Sequence, residues 1–140
     1  MFEAGVDGEA VARCVAGSWV WRNIFVADTD AEAEAIAVPH FRAMRAYLSD
    51  NRARMNTEEE RAAQAAAVTG AARDSIDHGL IFGSPEKVRQ RIEEVDKVGV
   101  GGIIIHFRLG AMPYAANEHS LRLFAEEVAP HFREPDTDSN

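Results

Sequence analysis

Residues Gly79 to Arg108 read GLIFGSPEKVRQRIEEVDKVGVGGIIIHFR, and this stretch decides the fold. Leu80-Ile81-Phe82 is a short apolar run that Gly83 breaks. Ser84 can then cap a helix opening on Pro85. Its hydroxyl accepts a free first-turn N–H, and proline sits where its missing N–H is not needed. Glu86 adds negative charge at the positive end of that helix. Val88, Ile92 and Val95 follow at helical spacing and make one apolar stripe. Gly99 supplies a stop, and Gly101-Gly102 leads into Ile103-Ile104-Ile105. Three consecutive β-branched residues with no polar alternation predict a strand covered on both faces, as parallel strands usually are. The stretch is a β-α-β unit.

Upstream, Gly8 to Ala16 is a short helix candidate, ended by Gly17-Ser18. Trp19 to Ala27 reads as the first strand, strongest from Asn23 onward, with Trp19 and Trp21 alternating onto one face as packing residues. Thr29 and Glu32 form a T-x-x-E capping box. The helix it starts carries Ala31, Ala35, Val38, Phe41, Met44 and Leu48 at helical spacing, and Pro39 inside it predicts a kink or break. From Ser49 to His78 the apolar pattern fades, which predicts a mobile insertion over 50–78 with a helix-prone centre at Glu58–Val68. Downstream, Tyr114 to His131 is a last helix with Leu121, Phe124, Ala125 and Val128 on one face, and Glu134 to Asn140 is a polar, disordered tail. Helices alternating with three strands imply an α/β fold with a parallel sheet. Three strands are too few to close a barrel.

The 140 residues suit one domain, and 46% hydrophobic with 27% charged residues is ordinary for a soluble globular protein. A formal charge of −8 argues against nucleic acid and anionic membrane surfaces as partners. The single Cys14 cannot form an internal disulfide, and a cytoplasmic location is the natural expectation. No apolar run approaches the ~20 residues that span a bilayer.

The chemistry is less legible. Gly99-Val100-Gly101-Gly102 runs from helix to strand, the wrong polarity for a phosphate loop. Gly83-Ser84-Pro85 has the right polarity and could hold an anion, although N-capping explains each residue in it. The five histidines show no metal-ligand spacing. His106 and Arg108 stand at the end of the last strand, where α/β folds place their chemistry, or are simply its polar ends.

Three phrases occur together and in order: RNIFVADTDAEAEAIAVPHF from Arg22, HGLIFGSPEKVRQRIEEVDKVGVGGIIIHF from His78 and RLGAMPYAANEHSLRLFAEEVAPHF from Arg108. Jointly they resemble the C-terminal part of the luciferase-like flavin-dependent monooxygenases, over residues 9–133. The resemblance implies a partial TIM barrel, the three strands being the last three of eight. It implies oxidation by O2 with reduced FMN (FMNH2) from a flavin reductase, or a deazaflavin in a related branch. The family's first five βα units hold most flavin-phosphate contacts and the catalytic histidine, so no catalytic residue transfers to this sequence. Asp28, Ser84, His106 and Arg108 are the residues the resemblance places at strand ends facing the active-site mouth. The expectation is a C-terminal fragment or short homologue, inactive alone, in a homo-oligomer, most simply a dimer, or completed by a separate N-terminal half-barrel. A non-catalytic assembly domain that kept the scaffold and lost flavin binding is the alternative.

Overall fold

A computed structural model describes residues 7–67 and 76–133. Helix α1 (Gly8–Ala16) leads through a tight turn into β1 (Trp19–Val26), followed by α2 (Asp30–Met55), α3 (Glu58–Ala67) and the one-turn α4 (Ile76–Gly79). Strand β2 (Leu80–Gly83), α5 (Pro85–Asp96), β3 (Gly102–His106) and α6 (Tyr114–Leu123) complete the order. A π-helical turn over Phe124–Val128 and a 3-10 turn over Ala129–Phe132 continue α6.

The local signals act as read. Thr29 Oγ1 accepts from Glu32 N at 3.2 Å to open α2, and Ser84 Oγ accepts from Lys87 N to open α5. A second capping box, outside the sequence reading, opens α3: Thr57 N donates to Glu60 Oε2 and Glu60 N to Thr57 Oγ1. Pro39 does not break α2, which runs continuously to Met55. Ala33, Ala37 and Phe41 anchor it on both sides of the proline, and His40 Nδ1–H donates to Ile36 O at 2.7 Å next to the missing backbone bond. The predicted insertion therefore begins inside α2 and continues through α3, while 68–75 and the tail 134–140 lie outside the described residues.

The sheet is parallel, in the order β2-β1-β3. This order bears out the parallel α/β sheet and does not confirm the partial-barrel expectation. Successive strands of a (β/α)8 barrel neighbour each other in chain order with all helices on the outer face. Here β1 is central, and the chain moves from β1 to β2 in one direction and from β2 past β1 to β3 in the other. Right-handed crossovers of opposite direction place their helices on opposite faces. Two cores result. Phe25, Leu80 and Leu109 pack with Ala33, Ala37 and Phe41 of α2 on one face. Ile24, Val26 and Ile81 pack with Val88 and Ile92 of α5, Leu123 and Val128 on the other.

The two-sided cover expected for β3 is only half present. Ile103 and Ile105 face the α5 side, whereas Ile104 is 46% exposed. The register explains it: β3 pairs with Trp19 to Asn23, the amino half of β1, and α2 covers the carboxyl half through Phe25. Trp19 and Trp21, expected to pack, are 64% and 58% exposed on that same uncovered face. Gly101 belongs to the turn before β3, and Gly102 opens the strand. A Cβ at Gly101 would lie 2.4 Å from Ala16 O, and Gly102 carries the Trp19 indole directly on its backbone.

Candidate functional site

The carboxyl ends of parallel strands are where open α/β sheets bind ligands, at the point where strand order reverses. In the order β2-β1-β3 that point lies beside the end of β1. Ala27 N donates to Gly83 O at 3.1 Å, which completes the β2 side of β1. On the other side β3 stops level with Asn23, so Val26 N–H has no strand to meet. Ser120 Oγ of α6 accepts it at 2.8 Å. A hydroxyl on a helix thus stands in for a missing strand carbonyl.

Two residues on from Val26, Asp28 Oδ2 meets His119 Nε2 at 3.1 Å in a solvent-exposed pair. Asp30 Oδ1 accepts from Ser84 N at 2.7 Å and so ties the β1–α2 turn to the β2–α5 turn. The bond from the Ser84 amide, and then the Ser84 hydroxyl, hold the Asp30 carboxyl below its ordinary value against desolvation, with the Lys87 charge as the smallest contribution. The turn at Ser84 does bind an anion, and that anion is the chain's own Asp30. Lys87 spans the same turn, its Nζ 5.2 Å from the Phe82 ring centre.

The four sequence candidates do not converge. Asp28 and Ser84 share the carboxyl edge, Asp28 paired with His119 and Ser84 bonded to Asp30. His106 lies level with Asn23, three residues or about 10 Å back along β1 from Val26. There its Nδ1–H donates to Asn23 Oδ1 at 3.0 Å, Asn23 Nδ2 donates to Gly79 O at 3.1 Å, and the Trp21 ring lies 5.8 Å away. Arg108 turns back on its own loop, Nε donating to Gly110 O at 3.3 Å. Asp30, Ser120, His119 and Asn23 were missed. Asp30 stood inside the capping-box phrase, while the other three have partners 83 or more residues away in sequence or, for Asn23, 56 and 83. Among the described residues no group of three or more His, Cys, Asp or Glu could hold a metal ion, and no helix is long and apolar enough to cross a membrane.

The Asp30 link yields a pH signature. A depressed folded value means stability that is present above the ordinary carboxylate value and lost as pH falls through the folded one. The urea-midpoint difference between the wild type and Asp30→Asn should therefore be constant near neutrality and shrink only in strongly acidic solution. A difference that widens on acidification would remove the assigned sign.

Fold and site together define a small parallel α/β protein whose strand ends are occupied by its own side chains. No protein-family model matches the sequence, and the search of curated proteins finds no relative. Among solved structures it is similar to the crystal structure of monooxygenase RslO1 from Streptomyces bottropensis, with a TM-score of 0.51 and 24% identity. The match covers 82% of this chain and 31% of that chain, so the present sequence spans about a third of its neighbour. At this identity the likeness is one of fold.

Proposed function

We propose that this chain corresponds to the C-terminal part of a luciferase-like flavin-dependent monooxygenase and contributes scaffold rather than chemistry. The observation behind this reading is that the chain's three family-like phrases span 9–133 and that most of the same chain fits within about a third of a monooxygenase. The enzyme class would use reduced FMN delivered by a flavin reductase, or in a related branch a deazaflavin, held by βα units outside this sequence. A second reading, an assembly domain that has lost flavin binding, draws on the strand order. Completing a barrel would require β3 to leave β1 for β2 and α2 to change faces.

The residues present do not fit an FMN phosphate. The strand-to-helix turn that could receive one at Ser84 is already filled by the Asp30 carboxylate, and a second anion there would meet like charge. Asp28 is held by His119, and Arg108 by its own loop. Titration of the chain with FMN, followed by flavin fluorescence, should give no saturable binding at micromolar concentration. A dissociation constant near 1 μM, about 8 kcal/mol, needs a formed site and would overturn the scaffold reading.

A further inference from the structure

We draw no further inference here: the strongest candidate, the uncovered face of β1 and β3 that presents Trp19, Trp21 and Ile104, carries nothing because the patch is of ordinary size for a monomer and nothing in the structure shows what covers it.

Discussion

Ser120→Ala is expected to lower the unfolding free energy by about 1–3 kcal/mol, the cost of a buried donor left without a partner. Ser120 is completely buried, and among the described residues it is the one buried polar side chain. Its hydroxyl takes the Val26 N–H, which points toward the edge that β3 vacates after Asn23. Removing one oxygen changes little volume and little apolar area, so the loss measures the orphaned amide rather than a cavity. Urea unfolding should show a lower midpoint at unchanged slope, and the Val26 amide should exchange faster with solvent. A loss under about 0.5 kcal/mol would mean that water enters and replaces the hydroxyl, and that α6 does not seal this strand end.

Gly83→Ala should cost still more, about 2–4 kcal/mol, from backbone strain plus a disrupted charge-assisted bond. Gly83 has φ +151°, where a side chain is strained whatever the surrounding space. Its added Cβ would lie 2.7 Å from Lys87 Cδ and 2.9 Å from Asp30 Oδ1. Lys87 Cδ can swing aside, although its Cβ, 3.0 Å away, is held on α5. Asp30 cannot without releasing the Ser84 amide and loosening the tie between the two turns. Gly8→Ala is the matched control, since nothing stands within 4 Å of a Cβ there and alanine is the better helix former. It should be neutral or stabilising by up to about 1 kcal/mol. Equal effects at the two sites would mean that the Gly83 turn relaxes freely.

What the sequence by itself determined is local. Ser84, Pro85 and Thr29 mark helix starts because a cap bonds within three residues of itself, and the structure uses them so. Val88 and Ile92 are legible as core because no other spacing of apolar residues exists on α5. Along α2 the same reasoning places Val38, Phe41 and Met44 against the core correctly but takes Ala31 and Ala35 for the buried alanines. Alanines stand at 31, 33, 35 and 37, and only contact with Phe25 and Leu109 decides that Ala33 and Ala37 are the buried ones. On the last helix the π turn adds a residue to the repeat, so Leu123 and Val128 face inward and Leu121, expected inside, stays 45% exposed.

Strand order and the site belong to tertiary structure alone. An apolar run such as Ile103 to Ile105 states that it wants cover, not which neighbour it pairs with. Pairing with Trp19 to Asn23 is what leaves Ile104 bare, strands Val26 N–H and calls in Ser120 from 94 residues away. Asp30 becomes the anion at the Ser84 turn only when two turns 54 residues apart are brought together. Hydrogen bonds and burial between such distant segments depend on where the chain returns, and a spacing rule that sees one helix or one strand at a time carries no information about that return.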